Sequence, residues 1–221
     1  MRPIFIINFK TYETATGGKA VELARITEKV GKATGIRMMV AVQAADIYRV
    51  SEAVSIPVLA QHIDPITHGK NTGYLLPETA RANGAYGTLL NHSERKIDPD
   101  TVKESIKRAK QAGLVTIVCA SDDLMAWEIA KLRPDIISVE PDELIGTGQS
   151  VSVVRPEVVS DTVEVVRKVG NIPVLCGAGI RTAEDIKRSL ELGANGILIA
   201  SGVTQAEDPE KYLMGLSEGA K

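Results

Sequence analysis

Three stretches of the chain carry side chains that can exchange protons or hold charge: Asn8 with Lys10, then Asn91-His92-Ser93-Glu94, then Glu140. A carboxylate in hydrogen-bond reach of a substrate proton is a general base, and an imidazole can donate or accept one. An amide and an ammonium group can stabilise developing negative charge. Taken singly, each has a plainer reading: Lys10 as a solvated surface charge, His92 as a structural histidine, Glu140 as a carboxylate capping a neighbour at a strand end. Taken together, four reactive types at three separate places need a fold that gathers them.

Small residues form a second group. Gly177-Ala178-Gly179 and Ala200-Ser201-Gly202 are turns where backbone N–H groups can approach an anion with a helix N-terminus behind, the device by which barrels hold a phosphate; tight helix-start packing is the other use of such residues. Pro141 to Gly148, containing Ile145-Gly146-Thr147-Gly148, follows Glu140 directly. Its glycines loosen the backbone and its proline stiffens the start, which reads as a lid; the plainer reading is an ordinary strand-to-helix loop. His62 and His68 share a polar stretch with Asp64, read here as a solvated loop rather than a metal pair.

The elements that must position these groups are short apolar runs bounded by turn residues: Ile4 to Asn8, Met38 to Val42, Pro57 to Gln61, Gly87 to Asn91, Val115 to Cys119, Ile136 to Glu140, Val174 to Cys176 and Gly196 to Ala200. Most lack strict alternation, as parallel strands covered on both faces do. Helical spacing lies between them. Asp98 and Pro99 open a helix with Val102, Ile106 and Ala109 on one face; Arg155-Pro156-Glu157 opens one with Val159, Val163 and Val166; Thr182 with Asp185 resembles a capping box before Ile186 and Leu190; Asp208-Pro209 opens the last. Eight strand–helix units in so short a chain predict an α/β fold, a closed (β/α)8 barrel forming one domain over residues 1–221. An open doubly wound sheet would want a Gly-x-Gly-x-x-Gly turn after its first strand, and none is present. In a barrel the carboxyl ends of the strands meet at one mouth, and Asn8, His92 and Glu140 all stand at such ends.

Twenty-six Lys and Arg against 28 Asp and Glu give a net charge of -2 with the signs interspersed, which argues against a nucleic-acid partner. No apolar run approaches a bilayer span, and the amino terminus is too polar for a signal peptide, so no membrane partner and a cytoplasmic location are expected. Cys119 and Cys176, each ending an apolar run, are expected to be buried and reduced.

In this order and at these strand ends, Asn8-Phe9-Lys10, Asn91-His92-Ser93-Glu94-Arg95 and Val139-Glu140-Pro141 followed by Ile145-Gly146-Thr147-Gly148 resemble the triosephosphate isomerase family over essentially the whole chain. The resemblance implies a cofactor-free and metal-free isomerase of glycolysis and gluconeogenesis that interconverts dihydroxyacetone phosphate and D-glyceraldehyde 3-phosphate through an enediol. In that reading Glu140 is the base, a neutral His92 hydrogen-bonds the substrate oxygens, Lys10 supplies positive potential, Asn8 orients the substrate, and Glu94 supports them from behind. Ile145, Gly146, Gly179, Ala200 and Ser201 hold the phosphate, under the closing lid. Asp142-Glu143-Leu144 stands where longer members carry a Trp-containing hinge, and Cys176-Gly177-Ala178-Gly179 and Ala200-Ser201 replace their Tyr-Gly-Gly-Ser and double-glycine turns. These departures resemble the short archaeal branch. The resemblance also implies that Gln61 to Gly73, with Thr72-Gly73 at its tip, joins subunits in a homo-oligomer, a dimer or a dimer-of-dimers tetramer.

Two other classes compete. A Schiff-base aldolase or a metal-dependent epimerase would want a lysine or several His and Asp ligands inside the barrel, and only Lys10 could be recruited for the first. A phosphate-ligand sensor that has lost turnover would have no need of Glu140 and His92 together.

Overall fold

Alternate residues along a strand face opposite ways, and in this chain that parity organises the whole molecule. A computed structural model describes residues 2–141 and 150–221. The expected lid, with Ile145 and Gly146, lies outside the described residues apart from Pro141. β1 (Ile4–Asn8) leads to α1 (Gly18–Thr34), β2 (Arg37–Val42) to α2 (Ile47–Ser51), β3 (Val58–Ala60) to α3 (Pro77–Ala82), β4 (Gly87–Leu90) to α4 (Pro99–Gln111), and β5 (Val115–Ala120) to α5 (Asp123–Lys131). After β6 (Ile136–Val139) come α6 (Val151–Val154) and α7 (Pro156–Val169), after β7 (Val174–Cys176) comes α8 (Ala183–Glu191), and after β8 (Gly196–Ile199) come α9 (Ser201–Thr204) and α10 (Pro209–Ser217).

The strands are parallel and pair in chain order, and β8 returns to β1 to close the barrel. The seam depends on one residue: a Cβ at Gly196 would stand 1.9 Å from the Ile4 carbonyl oxygen. All eight expected strands are present, with ends shifted by a residue or so. Pro57 and Gln61 fall outside β3, and β4, β6 and β8 each stop one residue before Asn91, Glu140 and Ala200.

Inward-facing Ile6, Met39, Leu59, Leu89, Ile117 and Leu198 fill the barrel, while their neighbours Phe5, Ile7, Val40, Leu90, Val118 and Val139 pack against the helices. Each fully buried side chain of this size contributes roughly 1.5–3 kcal/mol. The helices begin where the sequence indicates. Asp98 accepts from the Thr101 N–H at 2.9 Å ahead of Pro99, Thr182 and Asp185 form a reciprocal capping box, and Asp208 accepts from the Lys211 N–H at 3.0 Å. Val102, Ile106 and Ala109 of α4 and Val159, Val163 and Val166 of α7 are buried as predicted. Both cysteines are buried free thiols. Among the described residues no helix is long and apolar enough to cross a membrane.

Counting on in steps of two from the interior residues reaches the mouth: Asn8 after Ile6, Gln61 after Leu59, Asn91 after Leu89, Cys119 after Ile117, Ser138 and Glu140 after Ile136, Gly177 after Leu175, Ala200 after Leu198. The fold thus selects which polar side chains face the site.

Candidate active site

Glu140 and His92 meet at the mouth. Glu140 Oε2 lies 3.5 Å from His92 Nε2, although the two residues belong to the ends of β6 and β4. Both are buried, Glu140 to the point of being 3% exposed.

The turn after β4 fixes the imidazole. Asn91 takes a left-handed conformation (φ 57°), which asparagine tolerates, and its side chain donates to the Cys119 carbonyl at 3.0 Å and accepts from the Ile97 N–H at 3.1 Å. His92 caps the short helical turn Ser93–Arg95, its Nδ1 accepting from the Glu94 N–H at 3.2 Å. A ring nitrogen that accepts carries no proton, so the neutral ring holds its hydrogen on Nε2, toward Glu140. Burial, reinforced by the Lys10 cation, lowers the His92 pKa, with Glu94 opposing them. The Glu94 carboxylate, 3.7 Å from Nδ1, is half exposed and already paired with Lys10, so we read the ring as neutral despite that approach.

Lys10 is held in a strained backbone conformation (φ 47°) by three contacts. Its N–H donates to Asn8 Oδ1 at 3.0 Å, its carbonyl accepts from Gln61 Nε2 at 2.8 Å, and its ammonium group donates to Glu94 Oε1 at 2.8 Å. Gln61 Nε2 also lies 3.3 Å from Asn8 Oδ1. With its oxygen so engaged, Asn8 turns its amide nitrogen toward His92 Nε2 at 3.4 Å. Two N–H donors therefore converge on one point, an arrangement that suits a single acceptor oxygen placed between them.

The carboxylate is the most perturbed group of the set. Burial raises the Glu140 pKa from 4.5 to about 7, partly offset by hydrogen bonds from Cys119 and Ser138 and by the Lys10 charge. Oε1 accepts from Ser138 Oγ at 3.1 Å and from Cys119 Sγ at 3.4 Å. Next to them, a Cβ on Gly177 would stand 2.3 Å from Glu140 Cγ and 2.6 Å from Ser138 Oγ. Glycine at 177 makes room for the base, a use beyond the anion approach expected of its turn.

One cavity is bounded by Lys10, His92 and Glu140 on one side and by Gly179, Ala200 and Ser201 on the other. Gly179 has φ 71°, and Ala200 is the N-cap of α9, whose first N–H groups have no partner within the helix. Of the expected site residues within the described portion, Lys10, His92, Glu140, Gly179, Ala200 and Ser201 line this cavity, while Asn8 is joined to it through His92 and Lys10, and Glu94 through Lys10. Ile145 and Gly146 lie outside the described residues. Gln61, Cys119 and Ser138 were missed, although inward parity marks all three.

His62 and Asp64 correct the expectation of a solvated loop. Asp64 is buried and accepts from the Leu75 N–H at 2.7 Å, from Arg95 at 3.3 Å and from His62 at 3.2 Å, anchoring the base of the loop. Burial and the Arg95 charge lower the His62 pKa, outweighing Asp64. His68 is exposed, and among the described residues no cluster of three or more His, Cys, Asp or Glu is placed to hold a metal ion.

Comparison with known proteins bears on this geometry. A family model described as triosephosphate isomerase matches residues 3–216. The triosephosphate isomerase of Methanobacterium bryantii is 47% identical over 215 residues, covering 97% of this chain and 95% of that protein. That of Saccharolobus solfataricus is 45% identical over 211 residues, 96% of this chain and 93% of that protein. Among solved structures, triosephosphate isomerase from Bartonella henselae superposes with a TM-score of 0.80 at 18% identity over 99% of each chain, which speaks to the fold. The first two sources are archaeal, as the short form of the chain suggests.

Proposed function

The chain belongs to the triosephosphate isomerase family and is an isomerase, and from that premise we propose that it interconverts dihydroxyacetone phosphate and D-glyceraldehyde 3-phosphate with Glu140 as the base and His92 as the hydrogen-bond donor. A glutamate base beside a neutral histidine is the division of labour already known for this family, so the assignment here is a carry-over onto these residues. The observation that carries it is the 3.5 Å approach of Glu140 Oε2 to His92 Nε2 in a buried mouth.

Glu140 takes a proton from the hydroxymethyl carbon of dihydroxyacetone phosphate. The C–H electron pair forms the enediol double bond, and charge moves onto the former carbonyl oxygen. That oxygen accepts from His92 Nε2–H and the Asn8 amide, with Lys10 adding positive potential and Glu94 holding Lys10 in place. The former carbonyl oxygen gains a proton, the hydroxyl oxygen on the first carbon gives one up, and as Glu140 returns its proton to the adjacent carbon the enediol double bond becomes the C=O of the aldehyde. A carboxylate whose pKa is about 7 can both take and return a proton near neutrality, which supports the role. No cofactor or metal is needed for this chemistry. The phosphate rests against backbone N–H groups of Gly179, Ala200 and Ser201, while the contacts expected at Ile145 and Gly146 and the expected lid lie outside the described residues apart from Pro141.

The reaction places the enzyme in glycolysis and gluconeogenesis, in the cytoplasm. Residues 1–221 act as one domain, since the barrel closes only when β8 pairs with β1. The loop from Gln61 to Gly73 joins subunits in a dimer or dimer of dimers: its base is anchored at Asp64, residues 67–70 and 72–74 are exposed, and Tyr74 is 62% exposed.

A coupled assay of triose phosphate conversion tests the base. Glu140→Gln lowers kcat by roughly a hundredfold or more; turnover near the parent rate would remove Glu140 from this role.

A further inference from the structure

Ser138 is a hydroxyl in a layer of aliphatic side chains. It lies on β6 between inward-facing Ile136 and Glu140 and is completely buried. In register it stands beside Cys119 of β5 and Leu175 of β7, the latter filling the barrel. A buried hydroxyl without a partner is destabilising, and the bond recorded for this one is to the base: Ser138 Oγ–H donates to Glu140 Oε1 at 3.1 Å. The Cys119 thiol approaches the same oxygen from the neighbouring strand at 3.4 Å. Oε2 is left facing His92. The two ends of the carboxylate are therefore unequal, one tied to the strands below and one turned to the mouth.

We propose that Ser138 is a positioning residue for the isomerisation: with Cys119 it pins Oε1 of Glu140 so that Oε2 is presented to the substrate carbon beside His92. This rests on Glu140 being the base. Of the two donors the hydroxyl is the stronger, since a thiol is a weak donor and the Cys119 contact is longer. A free glutamate side chain samples several rotamers, and one well-aligned bond to a charged acceptor selects among them. Gly177 lies against the same pair, and the Cβ that it lacks would stand 2.3 Å from Glu140 Cγ and 2.6 Å from Ser138 Oγ.

The bond also favours the charged form of Glu140, so its loss changes basicity as well as orientation. The groups facing Glu140 are Cys119 on β5, His92 after β4, and Lys10 after β1 with its partner Glu94, while Cys176 on β7 points outward to Ser189 of α8. Burial pushes the Cys176 thiol up to about 12 and raises Cys119 well above its ordinary range. Neither thiol titrates in the working range, and His92 is held neutral. The substrate phosphate also titrates, at about 6, but identically for parent and variants, so a movement of the acid limb between them reports Glu140.

The test is the pH dependence of kcat and KM for Ser138→Ala and Ser138→Cys, with circular dichroism and a thermal melt to establish folding. Ser138→Ala is expected to lower kcat about tenfold with KM within about twofold of the parent. The acid limb of kcat/KM moves to higher pH, because the carboxylate has lost a donor that favoured its charge, and a rate deficit persists above that limb. Ser138→Cys, which restores a weak donor, falls between parent and Ala on both readouts. A folded Ser138→Ala enzyme with parent kcat and parent acid limb overturns the proposal. So does a fall in kcat/KM that tracks a lowered melting temperature with the limb unmoved, and so does a Cys variant no better than Ala. If Ser138→Ala does not fold, the Cys variant decides through the same limb. Loss of turnover in Glu140→Gln alongside an unaffected Ser138→Ala would remove the positioning role alone, whereas an active Glu140→Gln would remove the base.

Discussion

Glu140→Gln should make the protein more stable at alkaline pH while it destroys turnover. The buried carboxyl has a pKa of about 7 in the fold against an ordinary 4.5, burial being the main cause. Between those values the native state holds a proton that the unfolded chain has released, so raising pH pulls toward unfolding. The stabilising contribution of the protonated acid is complete below 4.5 and is lost as pH rises through 7. A shift of that size corresponds to roughly 3 kcal/mol by linkage, of which about 2 to 3 kcal/mol develops between pH 5 and pH 8. The amide of the variant has no proton to release in this range, and its side-chain oxygen can still accept from Ser138 and Cys119. Urea unfolding of parent and variant at matched protein concentration measures the gap, which is expected to be small at pH 5 and about 2 to 3 kcal/mol in favour of the variant at pH 8. A pH-independent gap, or a variant less stable than the parent at pH 8, would refute the claim that the base is held uncomfortably in an apolar mouth.

Gly177→Ala should lower kcat about a hundredfold, because a Cβ 2.3 Å from Glu140 Cγ must push the base aside; steady-state kinetics with an unchanged rate would show that the site yields freely. Thr182→Ala should cost about 1 kcal/mol of stability through loss of the α8 capping box, with kinetics unchanged, as a melt and a rate assay together would show. Size-exclusion chromatography with light scattering should give a mass of two or four chains, and a single-chain mass in active enzyme would contradict the subunit role of residues 61–73.

The barrel was legible because its signals are local. Short apolar runs, Asp98 before Pro99 and the Thr182–Asp185 pair announce strands and helix starts within a few residues. His92 and Glu140 were legible because they sit where strands end, and their proposed roles come from the resemblance of the motifs around them to the family's. What surrounds Glu140 was not, since it depends on register between strands far apart in sequence: Cys119 aligns with Ser138, and Gly177 packs against Ser138 and Glu140. An interior serine flanked by aliphatic residues reads as an unremarkable strand position until the barrel closes. His62 and Asp64 misled for a related reason. A polar, turn-rich stretch reads as solvated, and the hydrogen bonds that make Asp64 an anchor come from Leu75 and Arg95, further along the chain. Aldolase and epimerase readings give way to the family match over residues 3–216.

The central claim is that one triose lies between the carboxylate of β6 and the imidazole of β4, with its phosphate at the turns after β7 and β8. A crystal structure with 2-phosphoglycolate bound tests it most directly. The account predicts the ligand carboxylate between Glu140 Oε2 and His92 Nε2 and its phosphate against the N–H groups of Gly179 and Ser201; a ligand bound away from Glu140, or with its two ends reversed, would contradict it.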